Sequence, residues 1–372
     1  MLLRKRPQVL LGAVLVLFAG LAIRTRAQSI PDKLSDFVFW NMSVDASEED
    51  GTFRSDNLLS NELYFQYVIP DLTKTAKAGR IYMGVGPEQN FTYIVALKPK
   101  MAFIVDIRRG NKDLHLMYKA LFEMSKDRAD FAGLLFSRKR PDGLDAKSTA
   151  KQIFDAYMMV PASKELYTAN LKAIDSLLTE KHSFKLASLD IDGIEYVYQN
   201  FYQFGPTINY NSSGVNGGGG GGGGRGGFGG ANYSTLMAAT DMNGDSRSYL
   251  ANEENFNFLK DLEGKNLLVP VIGNFAGPKA IRGVGNYIRD MDGVVSAFYL
   301  SNVEDYLVGG LWDSFCANVA TLPLDSTSTF IRSVRGGRYG GGGAGFGGGG
   351  LNSDLGNMAS EVKGCKSGSV SR

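Results

Sequence analysis

The chain has 372 residues, 44% of them hydrophobic and 21% charged, enough for one large globular domain or two modest ones. Its formal charge is +2, but five of its 40 basic residues and none of its 38 acidic ones precede Gln28, so the remainder carries −3. That mildly acidic body, without a basic stripe, excludes an electrostatic footprint for nucleic acid, and two histidines and two cysteines without paired spacing leave a metal site unsupported.

Arg4-Lys5-Arg6 precede an apolar segment, residues 9–22, that is too short for a comfortable membrane span. Thr25 and Ala27 supply small residues before a cleavage point, so residues 1–27 read as an export signal with Gln28 opening the mature chain. An uncleaved anchor is the alternative, because Arg24 and Arg26 crowd the cut. The expected location is the periplasm, or the inner membrane through this segment alone. A cytoplasmic face stays open, since positive charges flank the apolar run on both sides.

Residues 28–80 read as an N-terminal helical extension. A short helix carries Phe37, Phe39 and Trp40, the chain is turn-rich to Asp56, and a second helix runs from about Ser60 with Leu63, Tyr64, Tyr67 and Val68 on one face. Residues 81–106, IYMGVGPEQNFTYIVALKPKMAFIVD, then read as a strand, a glycine turn, a helix start and a second strand ending in Asp106. Gly84 and Gly86 permit a sharp turn and the close approach of a ligand. Asp106 follows Gly86 by 20 residues, the spacing at which a nucleotide-binding β-α-β unit sets an acid against ribose hydroxyls. Gln89 stands where the third glycine of G-x-G-x-x-G would fall. Pro87 suits the first helical position, and Glu88 in the first turn complements the helix dipole but repels a pyrophosphate. A small-molecule ligand with a ribose and no phosphate fits best, and S-adenosylmethionine (SAM) is the expected cofactor. An ordinary strand–turn–helix corner with a solvated Glu88 is the plain alternative.

Residues 111–125 form an amphipathic pattern with Leu114, Met117, Tyr118, Leu121 and Phe122 on one stripe, which leaves His115 partly exposed. Further helices are expected over 127–136, 148–159 and 164–180. The run SLDIDG at 188–193 has the start of a cation loop without its following ligands, and is set aside as chance. The glycine-rich stretch at 208–231 cannot bury enough apolar surface to offset its chain entropy, so a flexible loop is expected there. The run at 336–350 likewise opens a disordered Gly/Ser-rich tail over 335–372. Between them come a helix at 250–262, a buried strand at 266–275, a helix to about Arg289, a buried strand at 294–300, a helix at 305–318 and a last strand at 328–334. This alternation over 81–334 implies an α/β fold: a Rossmann-like, doubly wound, mostly parallel sheet with helices on both faces and glycine-rich insertions. Cys316 and Cys365 either form one disulfide in an oxidising compartment or stand as unrelated thiols.

In such sheets the ligand lies outside the carboxyl ends of the strands. Asp106 is expected on the ribose hydroxyls, with Gly84, Gly86 and Glu88 near the ligand's amino-acid part. Asn274, Tyr299, Ser301 and Asn302 are candidates for adenine or substrate, although capping alone would account for Asn274 and Ser301. Of Arg108 and Arg109, one is expected to pair with an acid such as Glu48, Asp56 or Glu62, the other to be solvated. There is no G-x-S-x-G elbow, and no catalytic residue is assigned.

Several segments, among them SDNLLSNE (55–62), YMGVGPEQNFTYI (82–94), FIVDIRRGN (103–111), NFAGPKAIRGVGNY (274–287) and FYLSNVEDYL (298–307), resemble an uncharacterised bacterial family whose fold is like that of class I SAM-dependent methyltransferases. The resemblance covers most of residues 35–334. It implies a methyltransferase-like protein of unknown substrate with SAM as its cofactor, and it brings no catalytic residues. Because SAM is kept in the cytoplasm, the alternative is an exported noncatalytic or differently liganded protein in which cofactor binding has been lost.

Overall fold

Short apolar runs separated by helices pair in parallel, because each crossover returns the chain to the same end of the sheet. In the computed structural model, which describes residues 29–213, 231–335, 338–339 and 351–367, five such runs do so. They are β1 (Ile81–Gly84), β2 (Met101–Asp106), β3 (Leu268–Ile272), β4 (Val295–Ser301) and β5 (Thr329–Arg335). A sixth strand, β6 (Leu351–Asn357), pairs antiparallel with β5, and the sheet order is β3-β2-β1-β4-β5-β6. The fold is therefore α/β with a mostly parallel sheet. Every residue of β1, β2 and β3 is buried, as expected where both sheet faces are covered. The expected export signal and the glycine runs at 214–230 and 340–350 lie outside the described residues.

The expectation of a disordered tail over 335–372 is corrected within residues 351–367. There β6 is followed by α13 (Met358–Ser367), Met358 is fully buried, and Cys365 is disulfide-bonded to Cys316 of α12 (Gly310–Val319), with 6.0 Å between the Cα atoms. LNSDLGN has little apolar content of its own, so its strand character comes from pairing with β5.

The helices follow the sheet. α1 (Asp36–Ala46) starts at Ser35, whose hydroxyl accepts from Val38 N, and α3 (Gln89–Leu97), α11 (Ala280–Asp290) and α12 connect successive parallel strands. The helix expected from Ser60 begins later, as a short 3-10 turn at Phe65–Val68 continuing into α2 (Ile69–Thr75). Between β2 and β3 the chain makes a long helical excursion: α4 (Arg109–Met124), α5 (Arg128–Leu135), α6 (Ala150–Met158), α7 (Lys164–Ser176), α8 (Ser188–Phe204), α9 (Tyr233–Ala238) and α10 (Glu253–Gly264).

The central helix α4 departs from its amphipathic pattern. All residues from Asn111 to Phe122 are buried, including Lys112, Asp113, His115 and Lys119. α8, a helix not assigned from the sequence, packs along α4 and supplies Asp190 to Lys112 at 2.8 Å and to Arg109 at 2.7 Å, while α1 lays Trp40 and Phe39 over Lys112 and Lys119 and the turn after β1 covers His115. The SLDIDG run is thus the first turn of a helix. Among the described residues no cluster of His, Cys, Asp and Glu is arranged to hold a metal ion.

Candidate functional site

The turn after β1 is built from the inside. A Cβ on Gly84 would collide with the side-chain oxygen of Asn90, and Gly86 adopts φ +77°, where a glycine costs least. Asn90, in the first turn of α3, donates through Nδ2 to the carbonyls of Val85 at 2.9 Å, Gly86 at 3.2 Å and Pro87 at 2.8 Å, and its Oδ1 accepts from Tyr82 OH at 2.9 Å. His115 Nε2 donates to the Gly86 carbonyl at 2.9 Å. The carbonyls of Val85, Gly86 and Pro87 are thereby bonded to the protein's own donors.

The expected partial exposure of His115 and the alternative of a solvated Glu88 are both corrected here. His115 is buried, and desolvation pushes its imidazole down to about 4 against the pull of its bond to Gly86, so it is neutral at physiological pH. Glu88 is also fully buried. Desolvation pushes its carboxyl up to about 8; Oε1 accepts from Ser60 N at 3.4 Å, and Oε2 has no hydrogen-bond partner. Near pH 7 the group is therefore mainly the neutral acid.

Residues 47–62 form a strap across the carboxyl ends of four neighbouring strands. At β3, Ser47 Oγ accepts from Ile272 N at 2.9 Å and Glu48 N donates to Ile272 O at 2.8 Å. Glu48 then accepts three backbone N–H groups: Asn274 at 3.0 Å, Lys279 at 2.8 Å and Ala280 at 2.9 Å. Its carboxylate fills the N-terminus of α11, a position suited to an anionic ligand. At β2, Asp50 accepts from Arg109 N at 2.7 Å and Gly51 N donates to Ile107 O at 2.8 Å. Arg54 reaches Tyr306 OH, beyond β4, at 2.9 Å.

The strap ends over β1 and β4 in a buried polar network. Glu62 Oε1 accepts from Tyr299 OH at 2.8 Å and from Ser301 Oγ at 2.6 Å, and its Oε2 accepts from Gln89 Nε2 at 2.7 Å. Ser60 Oγ donates to Gln89 Oε1. Ser301 holds φ +51°, an uncommon conformation for a residue with a side chain, while bonded to Glu62. Glu62 is 3% exposed, and its carboxylate is held by these three donors.

The two arginines also differ from expectation. Arg108 closes on Asp106 itself: its backbone N donates to Oδ1 at 3.0 Å, Nη2 to Oδ2 at 3.3 Å, and Nε lies 3.2 Å from Oδ1. Its Nη1 donates to the Asp56 backbone carbonyl, not to the Asp56 carboxylate. Arg109 pairs with Asp190, so neither arginine is left to solvent and neither meets the side chain of Glu48, Asp56 or Glu62 among these bonds. Nearby, Asp113 is pressed against Gly193 of α8. Burial and the neighbouring Asp190 push its carboxyl up to about 8, opposed by Lys112 and Arg109.

All the candidate residues lie along one edge of the sheet. Gly84 ends β1 and Gly86 and Glu88 follow it, Asp106 ends β2, Asn274 follows β3, and Tyr299, Ser301 and Asn302 end or follow β4. Glu62 joins Tyr299 and Ser301, and Glu48 meets the Asn274 backbone. The Asn274 side chain itself is exposed and caps Ala276 N at 2.9 Å; Asn302 is half-buried. The residues that sequence reasoning missed are Glu48 and Glu62 as fillers of this edge, with Ser60, Gln89 and Asn90. Asn90 left a trace, a polar residue entering an apolar helix directly after the glycine turn.

The profile of a family described as a domain of unknown function (DUF7790) matches residues 58–196 and 231–345, more than half of the chain, and the chain belongs to that family. Among curated proteins no match is found.

Proposed function

We propose that this is a Rossmann-like, doubly wound protein of methyltransferase-like build whose strand-end cleft is closed by its own chain, and that it works as a noncatalytic or differently liganded protein without SAM. The observation that carries this reading is the strap. Glu48 satisfies the N-terminus of α11, Glu62 satisfies Gln89, Tyr299 and Ser301, and Arg108 satisfies Asp106. A cofactor entering at this edge would have to displace buried, charge-assisted hydrogen bonds, which are costly to leave unmade. The Cys316–Cys365 disulfide supports an oxidising compartment, in keeping with export, where SAM is not supplied. No helix among the described residues is long and apolar enough to cross a membrane.

A SAM-dependent methyltransferase of unknown substrate is the second reading. It is favoured by the strand order β3-β2-β1-β4-β5, by the glycine turn after β1 and by an acid at the end of β2. In that reading Gly84, Gly86, Glu88, Asp106, Asn274, Tyr299, Ser301 and Asn302 surround the ligand once the strap lifts and Arg108 releases Asp106.

Calorimetric titration of the full chain with SAM and S-adenosylhomocysteine, with NADH and NADPH as controls, separates the two. Absence of binding to all four supports the closed-cleft reading. Micromolar binding to the SAM pair alone, abolished by Asp106→Ala in a folded variant, overturns it in favour of the methyltransferase.

A further inference from the structure

Beneath the strap, Glu88 stands immediately before α3 with no exposed surface. From the strap, Ser60 N donates to its Oε1 at 3.4 Å, and Oε2 has no hydrogen-bond partner. The groups around it supply no compensating cation. On α4, His115 is uncharged and bonded to Gly86. Tyr118 of α4, Tyr233 of α9 and Tyr249 before α10 present phenols that burial keeps protonated. Glu62, at the end of the strap, is the charged neighbour among the described residues and has the same sign as an ionised Glu88. A charge on Glu88 would be buried beside another carboxylate with one long hydrogen bond to hold it, which costs far more than the neutral acid. Of the segments that enclose it, α3, α4, α9 and α10 are helices of the packed body, whereas residues 47–62 belong to no helix or strand. The strap is the cover that can move aside and admit water while sheet and helices stay whole.

We infer that Glu88 is a proton-operated latch on the strap: protonated, it leaves residues 47–62 seated over the strand ends, and ionised, it drives them off so that water reaches the carboxylate. The latch rests on the closed-cleft reading above and adds that the cleft opens in mild alkali without any ligand. Its own backbone N–H and that of Ser60 favour the ion, but burial and Glu62 outweigh them and push the carboxyl up to about 8. The closed form binds the proton and the open form releases it, so opening increases as pH rises through that value. A neutral side chain at this position cannot ionise and keeps the strap shut.

Amide hydrogen exchange of the full chain at about pH 6 and about pH 9, each corrected for the intrinsic exchange rate, tests the latch. Peptides covering residues 47–62 should lose about tenfold in protection relative to those of β1 and β2, because the upper condition lies about one pH unit above the midpoint. Glu88→Gln should keep that protection under both conditions. Asp113 and Glu263 are raised to the same range, so the variant assigns the effect to Glu88, and Glu88→Met is the second neutral variant should Gln not fold. An unchanged strap in the parent at the higher pH, or an equal loss in a folded neutral variant, would overturn the latch, while protection at about pH 6 would leave the closed cleft standing. Exchange of residues 47–62 within seconds already at about pH 6 would overturn the closed cleft itself, and the latch with it.

Discussion

At the scale of single residues, the glycines that look like a ligand's landing place are required by the protein's own side chains. Gly84 is small because Asn90 occupies the space beside it, and Asn90 in turn holds three carbonyls and Tyr82. Gly84→Ala should therefore destabilise the fold by about 2–4 kcal/mol through overpacking and broken buried hydrogen bonds. Asn90→Ala should cost a similar amount, and the double variant clearly less than the sum, because both changes break one arrangement. Urea unfolding of the three variants measures this, and additive losses would show that the two residues are not coupled. Glu88 offers a second test. Its folded carboxyl titrates near 8 against an ordinary value of 4.5, so between these values the unfolded chain has lost a proton that the folded chain keeps. Stability from this group falls as pH rises through that window, by up to about 1.4 kcal/mol per pH unit. Glu88→Gln should gain on the parent between about pH 5 and about pH 8; a difference that does not change with pH would contradict the buried acid.

At the scale of elements, the strap and α8 carry most of what the sequence concealed. Of the parallel strands, β1 to β4 were legible as largely apolar runs, because strands covered on both faces are written that way, whereas β5, TFIRSVR, is partly polar and partly exposed. The strap was not legible, because the bonds that tie it to the sheet edge are remote: Glu62 meets residues 27, 237 and 239 positions away, and Glu48 meets residues more than 220 positions away. Local spacing holds no signal for such pairs, and from the sequence Glu62 stands only as a candidate acid partner for Arg108 or Arg109. α8 was legible in principle, since Ile194, Val197, Tyr198 and Phe201 fall at helical spacing and are buried. Its Asp-x-Asp-Gly start masked it, and with α8 missing the polar face of α4 could only be assigned to solvent. Glu48→Ala should remove a cap from α11 and its preceding turn. We expect a loss of about 1–2 kcal/mol, with faster amide exchange confined to residues 274–280; exchange unchanged there would show that Glu48 does not hold the turn.

At the scale of the whole molecule, two features set stability. Cys316–Cys365 closes a sequence separation of 49 residues and fastens β6 and α13 to the body. Reducing it should lower stability by about 2–4 kcal/mol, read as a fall in Tm with and without reductant at fixed pH. The buried carboxyls pull in opposite directions. Glu88, Asp113 and Glu263 are raised to about 8, chiefly by burial, so they favour the fold less as pH rises from the ordinary carboxyl range. Burial also opposes ionisation of Glu123 and of the partly exposed Asp36, but bonds from Asn266 and His182 to Asp36, and from His182 and Lys119 to Glu123, outweigh it and hold both below their ordinary values. Their contribution is present above those values and lost as pH falls. Stability should thus peak in mild acid, around pH 5, and a profile rising steadily to alkaline pH would contradict this balance. The tail shows why composition misled at this scale: LNSDLGN is written like a linker and is ordered by β5 and the disulfide, neither of which a local window contains.

A closed cleft requires the strap to be part of the folded body, and amide hydrogen exchange of the full chain reads this most directly. Peptides covering residues 47–62 should exchange as slowly as β1 and β2, with no change on adding millimolar SAM. Exchange of those peptides within seconds, or protection that appears only when SAM is present, would mean that the cleft is open and that the strap is a lid over a cofactor site.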